Sequence, residues 1–190
     1  MELSVIAYLG LLLVVALLRV YELGISRRHQ RAMIAQGAEK VADPRFRWMV
    51  MLHTAVLLGA ALEVVFLHRP FYPMLAAICF AIFLGANVVR WWVIQTLGEH
   101  WNVQVMNSTA MGVVTSGPFR YVRHPNYAAV FVEMLTLPLI HCAWITAFAG
   151  SAAHIVVLSQ RLATEERMLF SDERYREAMS GKPRFVPGLF

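Results

Sequence analysis

Four long stretches of the chain are almost free of charge. Leu3 to Leu18 carries none, and its apolar pattern runs on past Arg19 and Glu22 to about Ile25. Trp48 to Leu67 holds only His53 and Glu63 as polar interruptions of note, and Phe71 to Val89 is uncharged, with its helical pattern continuing through Arg90, Trp91 and Trp92 to about Leu97. A bilayer core about 30 Å thick needs roughly 20 residues of apolar helix, so each of these three predicts one crossing. The fourth stretch, Tyr127 to Ser159, has a single acid, Glu133. As one helix it would be about 50 Å long, far more than a crossing needs. Pro138 stands near its middle. A helical hairpin follows: one arm from Tyr127 to Leu137, a bend over Pro138 to Cys142, and a second arm from Ala143 to about Ser159. The predicted fold is an all-α, multi-pass membrane protein with about five transmembrane helices, the last two paired as the hairpin. We expect a single domain over 1–190, with three membrane helices in 1–97 and a polar loop, the hairpin and a tail in 98–190.

Composition agrees with this pattern. The chain is 58% hydrophobic and 15% charged, against about 45–50% and about 25% for soluble domains. A disordered, collagen-like or disulfide-framework protein is excluded. Cys79 and Cys142 both lie inside apolar runs and read as small buried hydrophobes.

The net charge of +5 matters through its position. Arg27, Arg28, Arg31, Lys40, Arg45 and Arg47 separate the first two helices, whereas Arg69 stands alone between the second and third. Arg120 and Arg123 precede the hairpin, and six more basic residues follow position 160. Positive-inside reasoning places the N-terminus outside and the 25–47 loop, the 98–126 loop and the tail in the cytoplasm. An inner cell membrane, membrane lipids as surroundings and no nucleic-acid partner are expected. The first helix lacks the positive start of a cleavable signal peptide. The oligomeric state is left open.

Two polar stretches concentrate the unusual residues. The first runs from Gly98-Glu99-His100-Trp101-Asn102 to Gly117-Pro118-Phe119-Arg120-Tyr121-Val122-Arg123-His124-Pro125-Asn126-Tyr127. Gly117-Pro118 signals a turn. His124 precedes a proline and is biased to extended backbone, and Pro125 suits the first turn of a helix whose exposed amides can meet an anion. The bland reading is a loop whose basic residues touch lipid headgroups. The second stretch is Arg161-Leu162-Ala163-Thr164-Glu165-Glu166, followed by Tyr175 and Arg184-Phe185-Val186-Pro187-Gly188. Arg161 and Glu165 share a helical face; read alone, they are an exposed ion pair.

The combination resembles the isoprenylcysteine carboxyl methyltransferase family, with the phospholipid methyltransferases as similar relatives. It consists of Gly-Pro-Phe-Arg-Tyr-x-Arg-His-Pro-Asn-Tyr, about thirty apolar residues, Arg-x-x-x-Glu-Glu, then Arg-Phe-x-Pro. The resemblance covers about half the chain, from Leu97 onward. It implies a membrane enzyme using S-adenosylmethionine in a cytoplasmic pocket between the Arg-His-Pro loop and the Glu-Glu helix. The absence of any Gly-x-Gly pair fits a methyltransferase without a dinucleotide-type fold. Two departures stand out. Ala129 occupies a position that is often glycine in the family, and Glu133 is a feature we associate with bacterial members.

On this resemblance, the residues expected around the cofactor are Gly117, Pro118, Tyr121, His124, Pro125, Asn126, Tyr127, Glu165 and Glu166. Arg161 is expected to orient an oxygen nucleophile, and Arg123 to do the same or to hold the methionyl carboxylate. Glu133 is an acid inside a membrane segment and therefore a functional candidate. As a general base it would suit a phenolic or enolic lipid; as a structural group it would pair with His154 or Arg90. Glu63, His53, Trp92 and Trp101 are candidate substrate-binding residues. For Glu63 and His53 an interhelical hydrogen bond is the plain alternative, and for Trp91-Trp92 an interface anchor. The remaining histidines have no ligand-like spacing, so no metal is expected. The function expected is O-methylation of a small lipidic acceptor, either a phenolic or enolic lipid or an isoprenylcysteine-like carboxylate. A lipid amine N-methyltransferase, an NADPH-dependent membrane reductase and a non-catalytic assembly subunit are the rival classes.

Overall fold

A computed structural model describes residues 2–41, 46–107 and 112–186. Arg45, Pro187 and Gly188 of the sequence reading lie outside them. The fold is helical. Helix α1 covers Leu3–Ala35, α2 Phe46–Phe66, α3 Pro73–Leu97, α4 Pro125–Leu139, α5 Trp144–Leu169 and α6 Glu173–Met179. A two-residue antiparallel bridge joins β1 (Glu39–Lys40) to β2 (Met106–Asn107), and short 3-10 turns occupy Gly98–His100 and Gly117–Arg120. Among the described residues, three helices are long and apolar enough to cross a membrane: α1, α2, and α3 with its following turn.

Local chemistry sets several boundaries. Pro73 opens α3 and Pro125 opens α4, at positions where a missing N–H costs nothing. Gly98 ends α3 at φ 52°, a conformation cheap only for glycine. Asp172 caps α6 by accepting from the Tyr175 amide at 3.3 Å. The start of α5 is capped from another helix: Glu63 of α2 accepts from the Ile145 and Thr146 amides at 3.1 and 2.7 Å and is paired with Arg69 at 2.8 Å.

Two helices run further than the sequence suggests. α1 continues ten residues beyond Ile25 and α5 ten beyond Ser159. The α1 extension is held by side-chain contacts to the loop after α3. Ser26 donates to Asn102 Oδ1 at 2.9 Å, Gln30 donates to the same oxygen at 3.0 Å, and Ser26 accepts from the Val103 amide at 3.1 Å. Arg27, Arg28 and Arg31 therefore stand on a helix and not in a loop.

The apolar core lies between α1, α2, α3 and the α4–α5 connection, around Tyr8, Leu12, Val64, Phe83 and Leu137. α4 and α5 are joined by only four residues, and their contacts descend one helix as they ascend the other: Phe131 with His154, then Tyr127 with Glu165, then His124 with Glu166. The two helices are thus antiparallel neighbours.

Candidate functional site

A cavity of about 620 Å³ opens among α1, α2, α4, α5 and the loop after α3, within the ~300–1,000 Å³ of small-molecule sites. Its polar end is built at the start of α4. The Arg123 and His124 amides donate to the Pro183 and Arg184 carbonyls at 2.9 Å each, so the tail straps the loop in place. Lys182 Nζ donates to the Phe119 carbonyl at 2.7 Å, tightening the same strap. His124 stacks on Tyr127, with ring centroids 5.5 Å apart. The Tyr127 hydroxyl donates to Glu165 Oε2.

Glu166 organises this end from outside the cavity. It accepts from His124 Nε2 at 3.2 Å and from Arg184 at 2.7 Å, and Arg123 stands 3.3 Å away. The His124 hydrogen bond, helped by Arg184 and by the Arg123 charge, holds the Glu166 carboxyl down at about 2. A carboxylate only accepts, so Nε2 of His124 is the donor and Nδ1 is left for other partners.

Arg161 is buried in the cavity wall. It donates to the Val103 carbonyl at 2.6 Å, and its guanidinium lies 5.8 Å from the centre of the Tyr127 ring. A chain of contacts thus runs from the α1 extension through Asn102 and Val103 to Arg161 and Tyr127. Trp101, 2% exposed, lines the same cavity, and its carbonyl is 2.9 Å from His29 Nδ1.

The other end of the cavity is apolar and lies at the outer faces of α1 and α2. Val20 of α1 and Val50, Thr54 and Leu58 of α2 line it while remaining exposed on the outside of the helices. Between the ends lies a buried charge cluster absent from the sequence reading. Arg90 forms a two-bond pair with Glu22 at 2.5 and 3.1 Å, and Arg19 bridges Glu22 and Glu133 at 2.8 Å each. All four stand in helices whose sequences read as membrane spans. Charges there are expected to pair, and that expectation was the available signal.

Of the residues singled out in the sequence, the structure brings His53, Trp101, Arg123, His124, Pro125, Asn126, Tyr127, Arg161 and Glu165 to this one cavity. The others stand elsewhere. Gly117 and Pro118 form the turn that seats the loop on Thr96 of α3, and Tyr121 is 53% exposed. Glu166 acts behind His124. Glu63 is the α5 cap described above, far along α2 from the cavity. Trp92 is 46% exposed on the outside of α3, which suits an interface anchor. Glu133 faces α1 and lies outside the cavity lining; its hydrogen-bonded partner is Arg19, the Arg90 charge stands close by, and His154 is not its partner.

The donor set fits an S-adenosyl group. Asn126 Oδ1 and Arg123 Nε are buried in the cavity wall without a hydrogen-bond partner among the described residues, and buried polar atoms are ordinarily paired. Around them stand a carboxylate, Glu165, and stacked rings, which suit an ammonium, a ribose and a sulfonium.

Comparison with known proteins places the chain. Residues 75–171, which contain the loop, α4 and the whole of α5, match the model of the isoprenylcysteine carboxyl methyltransferase (ICMT) family. The chain belongs to this family. It is 28% identical over 151 residues to the uncharacterized protein YpbQ of Bacillus subtilis, covering 80% of this chain and 89% of that one. It is 31% identical over 150 residues to an uncharacterized protein of Haemophilus influenzae, covering 78% and 87%. Its fold is similar to that of the eukaryotic intramembrane Ras methyltransferase ICMT, with a TM-score of 0.59 and 21% identity, over 78% of this chain. The chain spans 55% of the length of that enzyme.

Proposed function

We propose that this protein is an S-adenosylmethionine-dependent methyltransferase of the inner membrane that O-methylates a lipidic acceptor, either a phenolic or enolic lipid or an isoprenylcysteine-like carboxylate. One observation carries the reading: a single cavity joins a polar end at the Arg-His-Pro loop to an apolar end among lipid-facing residues of α1 and α2. Family membership supports it.

When bound, the cofactor supplies a methyl group on a cationic sulfur. The chain's residues do the rest. Glu165, with the Tyr127 hydroxyl fixed against it, would take the amino or ribose groups and favour the nearby positive charge. Asn126 Oδ1 and Arg123 Nε would gain the partners they lack. Arg161, held by Val103, would orient the acceptor oxygen at the in-line distance of about 3–3.5 Å that such a displacement requires. The apolar walls exclude water that would otherwise compete for the site.

The same proposal includes five crossings, with the polar end of the cavity in the cytoplasm. α4 is short for a full crossing: 15 residues give about 22 Å against a core of about 30 Å. α5, with 26 residues, reaches about 39 Å and carries Arg161 to Glu166 beyond the apolar layer.

The test is ligand binding by the purified protein in detergent. S-Adenosylhomocysteine is expected to raise the melting temperature, by about 2.7 kcal/mol of apparent stability at a hundredfold excess over Kd. Tyr127→Phe, which frees Glu165 from its donor, should weaken this binding roughly tenfold, the size of a charge-assisted hydrogen bond. A response to NADPH with none to S-adenosylhomocysteine would sink the reading in favour of a reductase.

A further inference from the structure

The mechanism above leaves two cavity histidines unused. His53 of α2 and His154 of α5 meet edge to face, with ring centroids 5.7 Å apart and planes at 86°. Both line the cavity. His154 is 1% exposed, and neither of its ring nitrogens has a hydrogen-bond partner among the described residues. Its backbone stands seven residues before Arg161, on the same face of α5 and about 10 Å deeper, and the Arg161 side chain reaches back close enough for its charge to act on the ring.

His53 has a defined tautomer. Its Nδ1 lies 2.7 Å from the Met49 carbonyl. A carbonyl only accepts, so the neutral ring carries its proton on Nδ1 and its lone pair on Nε2. Behind His53 a void of about 30 Å³ is lined by Arg19 and Glu133. That is room for a water, which needs about 10–15 Å³ and polar partners. Glu133 Oε1, buried and without a hydrogen bond among the described residues, is one such partner. The charged groups around the pair are Arg19 and Glu22 of α1, Arg90 of α3, Glu133 of α4 and Arg161 of α5.

We propose that His53 is the catalytic base of the methyl transfer and that His154 holds the same acceptor oxygen. The acceptor class is then a lipid with an ionisable hydroxyl, a phenol or an enol, and not a carboxylate. This rests on the methyltransferase reading above. A carboxylate arrives ionised and has no use for a buried lone pair beside a second unsatisfied imidazole; a hydroxyl needs both. The acceptor O–H gives its proton to Nε2, and the oxygen's electron pair takes the methyl carbon. The carbon–sulfur bonding pair stays on sulfur. A hydroxyl and a sulfonium become a methyl ether, a thioether and one imidazolium, and the imidazolium proton leaves through the open cavity.

The experiment compares the full-length protein and His53→Gln in detergent, with methyl-labelled S-adenosylmethionine and two acceptors: a dodecylphenol, and its more acidic difluorinated analogue assayed above that analogue's own pKa. His53→Gln is expected to lower kcat/KM on the plain phenol by about 100-fold or more, the size of a general-base contribution. On the ionised analogue the loss should stay within about threefold, and binding of S-adenosylhomocysteine should be unchanged. A second readout needs no cofactor. The absorbance of a bound nitrated dodecylphenol should show ionisation at a pH about one unit lower in the wild type than in the variant. His53→Asn repeats both comparisons if the Gln variant does not fold. Equal losses on the two phenols, no loss on either, or wild-type transfer to dodecanoic acid but to neither phenol would overturn the proposal. A wild type that binds no S-adenosylhomocysteine sinks the methyltransferase reading instead, and the nitrophenol titration then decides the role of His53 separately.

Discussion

Glu166 accepts from one histidine and one arginine and faces a second arginine, all belonging to the loop and tail that shape the polar end of the cavity. Its carboxyl, held at about 2 against an ordinary 4.5, ties loop stability to pH. A carboxyl whose folded pKa is depressed contributes stability that is complete above its unfolded pKa and is lost as pH falls through the folded one. The window here runs from about pH 4.5 down to about pH 2. Melts of the wild type and Glu166→Gln should therefore differ most near neutral pH, and the gap should close through that window. The variant should also bind S-adenosylhomocysteine about tenfold more weakly, because the amide keeps one acceptor oxygen but loses the charge and the second acceptor that His124 and Arg184 share between them. A gap of constant size at every pH would place the stabilisation elsewhere.

At the scale of elements, the turn at Gly117–Arg120 is seated by a close approach. Gly117 has φ 56°, and a Cβ there would overlap Thr96 of α3, nearest at Oγ1. Gly117→Ala is expected to cost about 2–5 kcal/mol, the sum of a left-handed backbone penalty of about 1–2 and overpacking of about 1–3. Adding Thr96→Ala should recover the overpacking part only. A denaturant melt in detergent measures both, and full recovery by the double variant would remove the backbone term. These element boundaries also show what a sequence reveals. α2 and α3 were legible to within two residues because a bilayer demands long uncharged runs. The ends of α1 and α5 were not. Arg27, Arg28 and Arg31 look like loop chemistry, and only the contacts of their neighbours Ser26, His29 and Gln30 with residues 101–103 show that α1 continues; the shared face of Arg161 and Glu165 hinted at a helix beyond Ser159 but not at where it ends. The local motif from Arg123 to Tyr127 was legible for the converse reason: its residues are neighbours in the chain and in space. Glu63 and Glu133 looked alike as intramembrane acids, and only the fold separates a helix cap from a partner of Arg19. The Arg90–Glu22 pair joins residues 68 apart, a register that no local spacing encodes.

At the scale of the whole molecule, the distribution of charge along the axis of the helices carries the proposed orientation. The α1 extension, the loop after α3, the end of α5 and α6 all gather at one end, and with them most of the arginines. The opposite end carries Arg69, which is occupied by Glu63. Lys and Arg are retained on the cytoplasmic side, and this asymmetry is the ground for the proposal that the polar end of the cavity faces the cytoplasm and the N-terminus the outside. The proposed five crossings put the two termini on opposite sides, whereas an α4–α5 pair that only dipped into the membrane would leave three crossings and the same outcome for Ser171. The termini alone therefore do not separate these cases, but the α4–α5 connection does. In a background lacking Cys79 and Cys142, cysteines placed at Glu2, at Trp144 and at Ser171 can be challenged with a membrane-impermeant maleimide on intact cells. Glu2 and Ser171 are exposed and Trp144 is 40% exposed, so all three sites accept the reagent once it reaches them. Five crossings predict labelling of the Glu2 and Trp144 variants from outside, and of the Ser171 variant only after permeabilisation. Protection of the Trp144 variant in both conditions would show that α4 and α5 turn back within the bilayer. Labelling of the Ser171 variant in intact cells would invert the molecule and place the cavity's polar end away from any cytoplasmic cofactor.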